Sequence, residues 1–117
     1  TRTLYACPNV KTESKFVPTD MQTPLAMRAP GTVSGAFALE SALDELAYEL
    51  KIDPLELRLI NYAEVSPEDG KPYTSKELRK CYAEAAKRFG WEKRKPEVRA
   101  TREGNWLVGY GMATGTW

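Results

Sequence analysis

A chain of 117 residues, 42% hydrophobic and 28% charged, suits one small domain with its own core. Seventeen basic and 16 acidic residues leave a formal net charge of +1, which gives no long-range field to gather nucleic acid or an anionic membrane surface. No histidine is present, which excludes Ser-His and Cys-His nucleophile pairs from this chain, and its apolar runs are too short for a membrane span.

Residues 1–26 read as an extended segment. Thr3, Tyr5 and Cys7 alternate with Leu4 and Ala6, Pro8-Asn9 interrupts, and Lys15-Phe16-Val17 resumes before Pro18, which predicts two short strands. Met21 to Pro24 is a polar, proline-ended connection to an arginine loop at residues 27–31, Met-Arg-Ala-Pro-Gly. There Pro30 fixes its own φ and biases Ala29 toward extended geometry, Gly31 permits any φ, and the helix that follows points its unpaired N–H groups back at the loop. With Arg28 this makes a candidate anion site; the alternative is an ordinary helix start with a solvated arginine.

Residues 32–90 form the helical region. A first helix is expected from Thr32–Ser34 to about Leu50, with Ala36, Leu39, Leu43, Leu46 and Leu50 on the buried stripe and Ala42 and Ala47 beside it. Glu40, Asp44 and Glu45 read as a solvated acidic face, although carboxylates at i, i+4 also have the spacing of an acid–base or metal pair. Asp53-Pro54-Leu55-Glu56 is a helix start with a capping box, predicting a second helix from Pro54 to Tyr62. After a turn at Ser66-Pro67-Glu68-Asp69-Gly70, Thr74-Ser75-Lys76-Glu77 offers another capping box. Leu78, Cys81, Tyr82, Ala85 and Phe89 then follow at helical spacing, and Gly90 stops a third helix.

Residues 91–104 read as a charged linker, its Glu92-Lys93-Arg94-Lys95 run too mixed in sign for a nucleic-acid interface. Residues 105–117 read as a strand, from Trp106, Val108, Tyr110 and Met112. Gly109-Tyr110-Gly111 and Gly115 lack the spacing and following helix of a dinucleotide loop. Cys7 and Cys81, 74 residues apart, have no metal-site spacing; they could form one bridge, and two buried thiols is the reading preferred. The expected class is α+β: short strands near both ends, about three amphipathic helices between, and no metal-ligating set.

An ordered series of motifs runs through these elements. It comprises Leu4-Tyr5-Ala6-Cys7-Pro8-Asn9-Val10, Val17-Pro18-Thr19-Asp20, Met27-Arg28-Ala29-Pro30-Gly31 and Phe37-Ala38-Leu39-Glu40-Ser41-Ala42-Leu43-Asp44-Glu45-Leu46-Ala47. Asp53-Pro54-Leu55-Glu56-Leu57-Arg58 with Asn61-Tyr62, Arg88-Phe89-Gly90-Trp91 and Gly109-Tyr110-Gly111-Met112-Ala113 continue it. The series resembles the molybdopterin-binding large subunit of the xanthine dehydrogenase and aldehyde oxidase family across essentially the whole chain.

The resemblance implies an internal segment of a longer enzyme that oxidatively hydroxylates an aldehyde or electron-poor nitrogen heterocycle at a molybdenum centre. Water supplies the oxygen, and electrons leave through iron–sulfur clusters toward flavin (FAD) or another acceptor in partner subunits or domains. It further implies that Arg28 lies beside the molybdenum as a catalytic residue, that Met27, Arg28 and Ala29 border the cofactor, and that the glutamate base belongs to sequence outside this chain. Many relatives carry a glutamate at the position of Glu40, for which the resemblance supplies no chemical role. Xanthine-oxidising relatives have aromatic residues flanking the arginine, whereas Met27 and Pro30 stand here, which leans toward the bacterial aldehyde-oxidising branch. Expected partners are the remainder of the large subunit, the iron–sulfur and flavin subunits and the small-molecule substrate. The compartment, bacterial cytoplasm or periplasm, is left open, and the segment alone is expected to be inactive. The competing reading is a freestanding helical protein-interaction module.

Overall fold

The computed structural model describes residues 4–23, 25 and 27–115; Thr3 of the expected first strand, Pro24 of the connection and the last two residues lie outside them. Among the described residues three helices run, α1 (Thr32–Leu50), α2 (Pro54–Ile60) and α3 (Leu78–Phe89), followed by a 3-10 turn at Trp91–Lys93. A two-stranded antiparallel sheet, β1 (Arg102–Glu103) and β2 (Trp106–Leu107), completes the α+β architecture. Among the described residues no helix is long and apolar enough to cross a membrane.

The turn between the first two helices sets the arrangement. α1 ends where Lys51 takes a left-handed φ of 57°, and the Ile52 N–H returns to the Ala47 carbonyl at 3.0 Å, closing the last turn. Two residues later the Asp53 carboxylate accepts from the Leu55 N–H at 2.8 Å and the Glu56 N–H at 3.3 Å, with Pro54 at the first helical position. α2 therefore folds back onto α1 within a short connection. The Trp91 indole N–H also donates to Asp53, at 3.1 Å, so one carboxylate ties the start of α2 to the end of α3.

The apolar core is small: Leu4, Ala47, Leu57, Ala63, Tyr82 and Trp91 are buried. The inner face of α1 is rotated from the leucine stripe. Leu46 is 45% and Leu50 51% exposed, while Glu40 and Ala47 are buried and Leu39, Leu43 and Asp44 lie at intermediate depth. The reason is tertiary: α2 presents Arg58, fully buried, to the Glu40 side of α1, and an ion pair outcompetes leucine for that position. The expectation of buried thiols is also corrected, since Cys7 and Cys81 are both free and exposed. Cys7 belongs to an irregular exposed segment, and α3 buries Tyr82 rather than its neighbour.

Strand structure is sparser than the sequence predicts. Among the described residues at the N-terminal end the pairing is one bridge, Tyr5 with Tyr62, supported by the Ala6 N–H on the Asn61 carbonyl at 2.9 Å; residues 15–17 are exposed and irregular. At the other end the strand pairs with part of the charged stretch, Arg102 with Leu107 and Glu103 with Trp106, around a two-residue loop whose Gly104 takes a φ of 59°. The Thr74 to Glu77 capping box gives way to a later start at Leu78 without a side-chain cap. Lys76 instead donates to the Ala63 carbonyl and lies over the rings of Tyr62 and Tyr73, 4.2 and 4.1 Å from their centroids.

Candidate functional site

The arginine loop opens α1 through two consecutive turns of unusual backbone. Gly31 takes a φ of 73°, which its missing Cβ permits. Ala29 takes a φ of 58°, left-handed rather than extended as the following proline predicts. The Thr32 N–H closes the turn on the Ala29 carbonyl at 3.1 Å, and that tight reversal outweighs the local preference. A non-glycine residue held left-handed costs on the order of 1–3 kcal/mol, a strain that concentrates at ligand-holding loops.

Met27, Arg28 and Ala29 are brought together on one groove of about 890 Å³, shared with Leu25, Pro30, Gly31, Val33, Ser34 and Phe37. Its walls are chiefly apolar, with Met27 82% and Phe37 77% exposed. The N-terminus of the 19-residue α1 opens on it without a side-chain cap, since glycine stands at the capping position. A guanidinium, backbone N–H groups and apolar side chains together suit a ligand that is anionic at one end and flat or apolar at the other. Among the described residues no group of three or more His, Cys, Asp or Glu side chains could hold a metal ion.

Behind the groove lies a buried polar network that an amphipathic reading of α1 does not reveal. The Glu40 carboxylate accepts from Tyr5 Oη on Oε1 at 2.7 Å, and from Arg58 Nε at 2.8 Å and the Thr114 N–H at 2.9 Å on Oε2. Arg58 donates further from Nη1 to the Pro54 carbonyl at 2.9 Å, and from Nη2 to the carbonyls of Glu40 at 3.2 Å and Met112 at 3.1 Å. Asp44 Oδ1 adds an ion pair 2.9 Å from Nη1, without an aligned hydrogen bond. Burial opposes the charge on Arg58, but the hydrogen bond and charge of Glu40, then Asp44, outweigh it and raise its pKa. The Tyr5 hydroxyl is pushed well above the usual tyrosine range by burial first, with the Glu40 carboxylate adding to it. Thr114 Oγ1 joins the network to Tyr82 Oη and to Tyr5 Oη.

Sequence reasoning quotes Tyr5 and Arg58 only as members of the motif series, leaves Thr114 unmarked, and places Glu40 on an acidic face read as solvated, with the resemblance singling it out as a possible exception. One local signal was available: Arg58 follows Leu57 and lies one turn after Pro54, on the side of α2 that must meet α1.

Residues 1–62 match a family described as the molybdopterin cofactor-binding domain. Over 113 residues, 96% of this chain, the sequence is 41% identical to the aldehyde oxidoreductase molybdenum-binding subunit PaoC of Escherichia coli (strain K12). Over 103 residues, 86% of the chain, it is 40% identical to the putative xanthine dehydrogenase molybdenum-binding subunit XdhA of the same strain. The chain spans 15% of the length of the first relative and 14% of the second.

Proposed function

The chain belongs to the molybdopterin cofactor-binding domain family, and from that premise we propose that it works as part of a longer molybdenum-binding subunit, contributing the Arg28 loop beside the metal centre of an aldehyde- or N-heterocycle-oxidising enzyme. The observation that carries this reading is the juxtaposition of Arg28, an uncapped helix N-terminus and an apolar groove wall at the strained Ala29 turn. The donor set fits a cofactor with an anionic portion and a flat organic portion, and in this chain Met27, Arg28 and Ala29 would border it.

When bound, the molybdenum cofactor supplies the two-electron oxidation that draws its oxygen from water. The chain's own part is electrostatic and positional. The Arg28 guanidinium steadies negative charge that develops on the substrate oxygen, the left-handed turn holds its backbone in place, and Met27, Val33 and Phe37 give the groove an apolar wall. Met27 and Pro30, in place of flanking aromatic rings, favour an aldehyde over a stacked purine. Iron–sulfur and flavin partners would receive the electrons. The chain alone has no turnover in this reading.

The test is Arg28→Ala in the complete subunit with molybdenum content verified. The melting temperature should hold while turnover falls about tenfold to a thousandfold, the range for loss of one positioned donor. Arg28→Lys should recover only part, since lysine lacks the planar fork. Wild-type aldehyde oxidation by metal-replete Arg28→Ala would overturn the reading.

A further inference from the structure

Glu40 lies nine residues along α1 from Gly31, and its carboxylate fastens three separate parts of the chain: Tyr5, Arg58 on α2 and the backbone of Thr114. Arg58 adds a second hold on the same C-terminal segment through the Met112 carbonyl. Gly111, Met112 and Ala113 consequently stand against α1 and, with Phe37, Glu40, Ser41 and Asp44, border a second hollow of about 310 Å³. Phe37 lines both this hollow and the Arg28 groove, so the two meet at one side chain.

We infer that Glu40 is a positioning residue: through Arg58 and the Thr114 N–H it sets where Gly111 to Ala113 stand relative to Phe37, and thereby shapes the hollow that meets the substrate groove at that side chain. This rests on the Arg28 reading above. The carboxylate sits roughly 13 Å along a stiff helix from the loop, too far to touch the reacting atoms, so its effect runs through geometry. Its partners are a backbone N–H, the buried Arg58 guanidinium and the half-buried Tyr5 hydroxyl, which makes it a spacer of defined length between α1 and the C-terminal segment.

Two substitutions in the complete, molybdenum-loaded subunit separate charge from geometry. Glu40→Gln removes the charge but can keep the spacing, its carbonyl accepting from Arg58 Nε and the Thr114 N–H while its amide donates to Tyr5 Oη. Glu40→Asp keeps the charge and shortens the arm by one methylene. If Glu40 shapes that hollow, the aldehyde KM or kcat of Glu40→Asp changes about tenfold or more, whereas Glu40→Gln stays within about threefold of wild type despite a lower melting temperature. Exchange of the Thr114 amide with deuterium, which needs no catalysis, should quicken about tenfold in Glu40→Asp and much less in Glu40→Gln. Turnover that simply follows melting temperature in both variants overturns the inference, as does an unaltered Glu40→Asp. Arg28→Ala run in parallel keeps the two readings apart. Wild-type rates there defeat the loop assignment, while an impaired Arg28→Ala beside an unimpaired Glu40→Asp defeats only this one.

Discussion

Arg58 Nε lies 2.8 Å from Glu40 Oε2, and the two side chains are 0% and 4% exposed, so the centre of this small molecule is an ion pair rather than a leucine cluster. Desolvation of both charges offsets much of their attraction, but removing one partner leaves the other buried and alone, at a cost of about 3–5 kcal/mol. Arg58→Met should therefore lower the urea midpoint severely. Adding Glu40→Leu should recover part of the loss by removing the stranded charge, and only part, because the Thr114 N–H and Met112 carbonyl then lack partners. Additive losses in the double variant would show that the pair is not coupled.

Tyr5 gives the same network a pH dependence. Its folded pKa is raised above the ordinary value of 10.0, so the folded state favours the protonated phenol. Stability from this group is complete below the unfolded pKa and declines as pH rises past about 10, where the unfolded chain releases a proton that the folded chain retains. Tyr5→Phe should lower stability at pH 7 and flatten its alkaline decline. Denaturation curves at several pH values from 7 to 11 measure this, and an unchanged alkaline slope in Tyr5→Phe would assign the decline to other groups.

The helix face supplies a sharper comparison. Leu57 is buried whereas Leu46 is 45% exposed. Leu57→Ala should cost about 2–5 kcal/mol and Leu46→Ala less than about 1 kcal/mol, with half-buried Leu43→Ala between them. Equal urea midpoints for the Leu46 and Leu57 variants would restore the leucine-stripe assignment.

Whether a feature can be read from the sequence depends on how local its cause is. The limits of α1, the Asp53 cap with Pro54, and the Gly90 stop follow from residues within one turn of each other, and each stands close to where its pattern places it. The inner face of α1 does not, because nothing near Glu40 distinguishes it from Glu45; the difference is Arg58, 18 positions away and brought in by the fold of α2. Ala29 is misread for a related reason: the preference of a residue before proline yields to a turn closed by Thr32. Met27, Arg28 and Ala29 are contiguous, so their shared groove is legible, whereas the approach of Gly111 to Ala113 toward Phe37 spans most of the chain.

Asp53 joins a helix start to a distant indole, and substitutions there should reveal both contributions. Asp53→Ala removes acceptors for the Leu55 and Glu56 N–H groups and for Trp91 Nε1, with Arg94 Nη1 an ion-pair partner at 3.4 Å. A lost cap together with a partly buried N–H left unpaired predicts a loss of about 2–4 kcal/mol. Asp53→Asn retains an acceptor for the cap and should lose less than half of that. The urea midpoint measures stability, and tryptophan fluorescence reports the Trp91 environment, which should shift in Asp53→Ala.

The backbone of Ala29 decides how the arginine loop is held, and three side chains at this position separate its two possible conformations. At a φ of 58° a Cβ is strained, and a β-branched residue more so. Glycine removes that strain but adds freedom to the unfolded chain worth roughly 0.4–1 kcal/mol, so the two effects nearly cancel. Ala29→Gly should therefore lie within about 1 kcal/mol of the native chain, while Ala29→Val should lose clearly more than about 1 kcal/mol. An extended residue would reverse the order, with valine well tolerated and glycine least stable. Thermal melts of the three proteins under one buffer check this, and valine matching alanine would remove the left-handed turn from the loop that carries Arg28.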